Sequence, residues 1–168
     1  NVEKVFSRLL PKNNHITNCQ VKKQIISNLQ QCKRPLILIG GGITNDKYEK
    51  EIANNFISNK KIPVVTTYAG TDVISHDYEM YLGAIGIKGN RAANFAVQNC
   101  DLLLVLGSRL PFAAIGYDIE NFAKHAKICV VDVDDAEVKK NVINFSNRIF
   151  QTIDKASNFL NKIIGLDI

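Results

Sequence analysis

Four short runs of aliphatic and β-branched residues, none alternating with polar ones, constrain this chain more than any other feature. They are Leu36-Ile37-Leu38-Ile39, Val64-Val65-Thr66-Thr67, Leu102 to Leu106, and Ile128-Cys129-Val130-Val131. A strand with one face in water alternates, so continuous apolar runs belong to a sheet covered on both faces, which is the habit of parallel sheets. The segments between the runs have helical periodicity. Val21, Ile25, Ile26 and Leu29 form one stripe, with Thr17 as a candidate N-cap and Gln20 completing a capping box. Asp46 can cap a second helix whose inner face reads Tyr48, Ile52, Ala53, Phe56 and Ile57. A third is expected from about Asn90 to Asn99, with Ala92, Ala93, Ala96, Val97 and Cys100 inward. A short helix from Ala136, a short strand near Ile149-Phe150 and a last helix around Lys155–Ile164 follow. The pattern predicts an α/β domain, a doubly wound, Rossmann-like parallel sheet with helices on both faces. Residues 1–16, broken by Pro11 and Asn13-Asn14, read as a linker or interface arm, and residues 17–168 as the domain itself.

Composition narrows the function classes. Hydrophobic residues make up 46% of the chain, enough for a core, yet no apolar run approaches the ~20 residues of a membrane helix. A membrane role is not expected. The net charge of +5 is concentrated in residues 1–34, where seven basic residues face only Glu3. These bases fall in the lead segment and on a helix's polar face, not among aromatics or on a recognition helix, so no nucleic-acid partner is expected. Cys19, Cys32, Cys100 and Cys129 contain no C-x-x-C pair, which speaks against zinc and redox motifs and for a reduced, cytoplasmic protein. His15, His76 and His125 are scattered and receive no role.

In a doubly wound sheet, ligands bind beyond the carboxyl ends of the strands. Those ends carry Gly40-Gly41-Gly42, Thr67-Tyr68-Ala69-Gly70, Gly107-Ser108-Arg109 and Asp132-Val133-Asp134. The loop holding Gly83, Gly86 and Gly89 leads into a helix start on the same side. Glycines let backbone approach a phosphate, and a helix start offers N–H groups to an anion. A carboxylate such as Asp132 suits ribose hydroxyls, and Arg109 suits a phosphate or a flavin edge. Each residue also has an ordinary explanation: glycines are common turn residues, Asp134 reads as a helix cap, and Arg109 could be a surface ion-pair partner. The constellation describes an adenine-nucleotide type of cleft. Neither G-x-G-x-x-G nor G-x-x-x-x-G-K-[ST] occurs, which disfavours an NAD dehydrogenase half and a P-loop NTPase.

The run from Leu82-Gly83-Ala84-Ile85-Gly86 through Ala93-Asn94-Phe95-Ala96-Val97 and Asp101-Leu102-Leu103 to Gly107-Ser108-Arg109 resembles the central domain of acetolactate synthases. The family pattern there is LGMxGxxGxxxANxAVxxxDLLxxxGxR. Phe122-Ala123, Ala126-Lys127-Ile128, Asp132-Val133-Asp134, Glu137 and Lys140 are similar to the family's FAxxAKIxxxDIDxxExxK, and the likeness covers about residues 20–160. The resemblance implies a DHS-like NAD/FAD-binding fold inside a thiamine-diphosphate-dependent enzyme. In such enzymes thiamine diphosphate and Mg²⁺ sit between N- and C-terminal catalytic domains, and the subunits form homodimers or homotetramers. The central domain holds FAD in a non-redox role in the synthases, and ADP or nothing in other relatives.

Carried over by position, the cofactor-lining candidates are Gly40, Gly41, Gly42, Thr67, Tyr68, Leu82, Gly83, Gly107, Arg109, Asp132 and Val133. No catalytic and no metal-binding residue is assigned, since the chain has no GDG motif to anchor a diphosphate. Three departures stand out. Lys88 replaces the usual His, Leu110-Pro111-Phe112-Ala113 replaces Phe-Asp-Asp-Arg, and Thr152-Ile153-Asp154 replaces Gly-Asp. They point to an acetolactate-synthase-like lyase or transferase of another pathway, with the segment inactive alone. A self-standing nucleotide-binding module of sirtuin or electron-transfer-flavoprotein type, or a purely structural module, stays open as the alternative.

Overall fold

The structure, a computed structural model, describes residues 18–137 and 148–166. The expected arm over 1–16, the Thr17 cap, Lys140 and most of the helix expected from Ala136 lie outside the described residues.

Six strands form one parallel sheet: β1 (Pro35–Ile39), β2 (Val64–Thr66), β3 (Tyr81–Ala84), β4 (Leu102–Leu106), β5 (Lys127–Asp132) and β6 (Ile149–Ile153). Their order is β3-β2-β1-β4-β5-β6, with every neighbouring pair parallel. This is the Rossmann order, in which the strand sequence reverses between β1 and β4. Ile37 lies opposite Val64 on one side and Leu104 on the other, and Leu104 opposite Cys129. All five residues of β4 are buried. Each such aliphatic side chain contributes roughly 1.5–3 kcal/mol on burial, so the hydrophobic driving force is greatest at the sheet centre.

Side-chain alternation divides the interior in two. Ile37, Ile39, Leu104, Leu106 and Val131 face α1 (Asn18–Gln31), α2 (Lys47–Lys60) and α5 (Ala156–Ile163). Leu36, Leu38, Leu103, Val105 and Val130 face α3 (Arg91–Asn99) and the turn α4 (Phe112–Ile115). The expected doubly wound architecture is the one observed.

Local details depart from the sequence reading in four places. Tyr48, assigned to the inner face of α2, is 56% exposed. It occupies the first turn of α2, its N–H donating to the Asp46 carboxylate at 2.9 Å and its hydroxyl accepting from Asn161 Nδ2 at 3.3 Å. Ala92 is exposed, because α3 packs on the sheet through Ala93, Ala96 and Val97. Tyr81–Ala84 was not anticipated as a strand. It is an edge strand whose register with β2 shifts between Val64 and Thr66 and whose first three residues are only partly buried. Phe112–Ile115, in the segment that departs from the synthases, forms the helical turn α4.

Candidate functional site

The carboxyl edge of the sheet carries a cleft of about 230 Å³ beside the order reversal. Gly42 and Ile43 line it after β1, Gly107 after β4, Asp132 and Val133 at β5, and Asp154 and Lys155 after β6. Asp46 and Glu49, from the start of α2, complete the wall.

Of the sequence candidates, Gly42, Gly107, Asp132 and Val133 meet in this cleft. Gly40 and Gly41 stand beside it for packing reasons. A Cβ on Gly40 would lie 2.3 Å from the Gly107 carbonyl oxygen, and one on Gly41 2.8 Å from the Ala69 Cβ. Thr67 is buried, and its Oγ1 has no hydrogen-bond partner among the described residues. Tyr68 is half exposed on the following turn. Leu82 lines a separate groove with Pro35 and Pro63, which lie at the amino ends of the strands. Gly83 has φ +97°, and its space is bounded by the Asn90 side chain, 2.4 Å from where a Cβ would stand. The exposed Arg109 side chain reaches to 3.9 Å from Glu137 Oε1.

The backbone donors tell more than the residue types. Gly42 N–H donates to Gly107 O at 2.8 Å, tying the turn after β1 to the turn after β4. In the glycine loop, Asn90 Oδ1 accepts from Ala84 N at 3.0 Å and Asn94 Oδ1 from Gly86 N at 2.9 Å. Ile85, Ile87 and Gly89 N–H groups donate to Thr66, Ala113 and Gly86 carbonyls. Five amides of the glycine loop therefore have partners within the domain, while Asn90 gives the α3 start no side-chain cap.

The cleft walls are acidic. Asp46 accepts from Tyr48 and Glu49 N–H, capping α2. Glu49 is 6% exposed and caps α5 from a distance: Oε2 accepts from Ser157 N at 2.8 Å, and Oε1 accepts from Ser157 Oγ at 2.5 Å. Asp132 Oδ1 accepts from Asp134 N at 3.0 Å, while Asp134 caps the next turn through Ala136 N. Asp154 pairs with Lys22 at 2.6 Å. Burial pushes the Asp154 carboxyl up, but hydrogen bonds from Lys22 and Asn158 and the lysine charges hold it below the usual carboxylate range.

Ile43, Glu49, Asp154 and Lys155 were not among the sequence candidates for this cleft. Asp154 had a signal, an acid directly after a strand. Glu49 had none, being an acid on a helix whose partner lies 108 residues away.

Outside the cleft, burial pushes the Cys100 and Cys129 thiols up to about 12. Among the described residues no cluster of three or more His, Cys, Asp or Glu could hold a metal ion, and no helix is long and apolar enough to cross a membrane.

Comparison with known proteins decides the family. Residues 23–162 match the family described as "Thiamine pyrophosphate enzyme, central domain". The chain belongs to this central-domain family. Among relatives of the central domain, the acetolactate synthase large subunit of Porphyra purpurea is 42% identical over 116 residues, covering 68% of this chain and 19% of that protein. A probable acetolactate synthase large subunit of Methanocaldococcus jannaschii is 39% identical over 125 residues, 73% of this chain and 20% of that protein. The acetolactate synthase isozyme 2 large subunit of Escherichia coli is 36% identical over 112 residues, 67% of this chain and 20% of that protein. The chain thus spans about a fifth of the length of these relatives.

Proposed function

We propose that this central domain serves a larger thiamine-diphosphate-dependent lyase or transferase, contributing a nucleoside cleft and an assembly surface and no catalytic group. Thiamine diphosphate with Mg²⁺ would supply the carbanion chemistry from N- and C-terminal catalytic domains, in a cytoplasmic homodimer or homotetramer. Supporting this division, residues 23–162 match the central-domain family and the chain spans about a fifth of the synthase subunits it resembles.

The cleft at the order reversal carries the rest of the reading. Its position suits the adenosine end of FAD or ADP, with a ribose hydroxyl on the Asp132 carboxylate. Asp134 N–H already orients that carboxylate through Oδ1. From the sequence candidates we retain Gly42, Gly107, Asp132 and Val133 as lining residues.

Two titrations test this. Adenosine should bind saturably, and Asp132→Ala should weaken it about ten- to a hundredfold, the worth of a charge-assisted hydrogen bond of ~1.5–3 kcal/mol. Thiamine diphosphate with Mg²⁺ should give no saturable heat. Unchanged adenosine binding in the variant, or Mg²⁺-dependent thiamine diphosphate binding to this chain, would refute the assignment.

A further inference from the structure

We propose that the face built by α4, the glycine loop and the outer side of α3 is a homotypic interface, on which a second copy of this chain docks through its own Tyr117 and Phe112. The proposal rests on the assembly role stated above and gives that role a surface and an occupant.

Four of the nine large hydrophobic side chains exposed among the described residues belong to this face: Ile87, Phe95, Phe112 and Tyr117. Singly exposed apolar side chains are ordinary, whereas a contiguous group marks an interaction site. A groove of about 250 Å³ runs through it, walled by Ile87 and Val97 from the glycine loop and α3 and by Ala114, Ile115 and Gly116 at α4. A wider hollow of about 470 Å³ adjoins the groove, shares Asn94 and Gln98 with it, and reaches Phe95 and Arg91. Ala113 O accepts from Ile87 N at 3.1 Å, a latch that fixes the two groove walls relative to each other. Tyr117 follows Gly116 at the rim and stands outside the groove. Its ring stacks on Phe112, with centroids 5.7 Å apart and 26° between the planes. The face thus carries a preformed apolar hole and an aromatic knob side by side. A closed two-fold pair needs such a self-complementary surface, because each copy gives and receives the same contact.

Charge and area agree with a second copy. Exposed Lys88 and Arg91 follow the glycine-loop wall, and exposed Asp118 and Glu120 follow the α4 wall. The ion pairs of the described residues use neither of these bases. A two-fold axis through the groove would set the bases of each copy against the acids of the other. Phe95, Phe112 and Tyr117 are 69, 59 and 85% exposed, and at ~200 Å² per ring they offer about 400 Å² of surface. A standard interface takes ~800 Å² from each partner. Groove walls and charged rim therefore complete a small interface, and a micromolar Kd is expected.

Sedimentation velocity of the chain from about 1 µM to about 1 mM, a range that brackets a micromolar Kd, tests this. A monomer–dimer equilibrium should appear with its midpoint inside that range. Tyr117→Ser and Phe112→Ser, both at exposed positions, should each weaken the dimer at least tenfold while the thermal unfolding curve by circular dichroism stays that of the parent. Lys88→Glu should weaken it about threefold or more, and adding Glu120→Lys should restore it. A monomer at every concentration, a Tyr117→Ser chain that dimerises like the parent, growth into open polymers, or a Lys88→Glu defect that Glu120→Lys leaves unrepaired would overturn the proposal. Adenosine titration separates this from the cleft. A monomer that binds adenosine removes the interface and leaves the cleft, and a dimer that does not bind it does the reverse.

Discussion

Replacing Glu49 with Ala should destabilise the domain more than any other single change to its polar groups. The side chain is 6% exposed and joins two helices that are remote in sequence, accepting from Ser157 N at 2.8 Å and Ser157 Oγ at 2.5 Å. Ser157 is itself 1% exposed, so water cannot replace the lost acceptor. Each hydrogen bond to a charged group is worth roughly 1.5–3 kcal/mol, and the two share one carboxylate, so their loss should cost about 3 kcal/mol in total. For a chain of this size 1 kcal/mol lowers Tm by roughly 2–4 °C, which gives a fall of about 6–12 °C for Glu49→Ala. Glu49→Gln keeps one acceptor oxygen and should cost about a third as much. Thermal unfolding followed by circular dichroism measures both, and a double-mutant cycle with Ser157→Ala should show a coupling of at least ~1 kcal/mol. A Tm loss below ~2 °C in Glu49→Ala, or purely additive single effects, would show that the buried bridge does not hold α5 to α2.

Gly86→Ala should open or strain the latch, since Gly86 has φ +109° and its Cβ would stand 2.0 Å from Ala113 O. Gly116→Ala, with φ +79°, ψ −177° and nothing within 4 Å of the new Cβ, isolates the backbone penalty of about 1–3 kcal/mol. Urea unfolding should show Gly86→Ala costing clearly more, and equal losses would refute the packing account. At low pH, Asp101 and Asp154 should matter together. Burial pushes the Asp101 carboxyl up, yet N–H groups of Lys33 and Arg34 and the Arg34 charge hold it low, as lysines do for Asp154. A carboxyl depressed in the folded state stabilises fully above its unfolded value and loses that contribution as pH falls through the folded one. The urea midpoint should therefore decline from about pH 4 downward, and Asp101→Asn with Asp154→Asn should flatten that decline. An unchanged acid slope in the double variant would contradict the assignment.

The sequence by itself determined the fold class, four of the six strands with a short strand near Ile149-Phe150 as a fifth, and the family. It could do so because these depend on local pattern. A continuous apolar run such as Leu102–Leu106 needs a sheet covered on both faces wherever that sheet lies, and Asp46 caps the residues directly after it. The glycines at the strand ends read in sequence as room for a phosphate, whereas Gly40 and Gly42 stand against the turn after β4. Only the tertiary structure decided which groups remain available to a ligand. Ala84 and Gly86 N–H groups look open in sequence but are consumed by Asn90 and Asn94, and Ile87 N–H by the Ala113 carbonyl. Leu82, placed at the cofactor by position, faces a groove with Pro35 and Pro63 instead. Glu49 reads as a helix-surface acid until α5 arrives from 108 residues away to bury it. Periodicity records which way a side chain points within its own element. Partners joined across the fold are set by how the elements pack, and hydrogen-bond supply at this edge is a property of those partnerships.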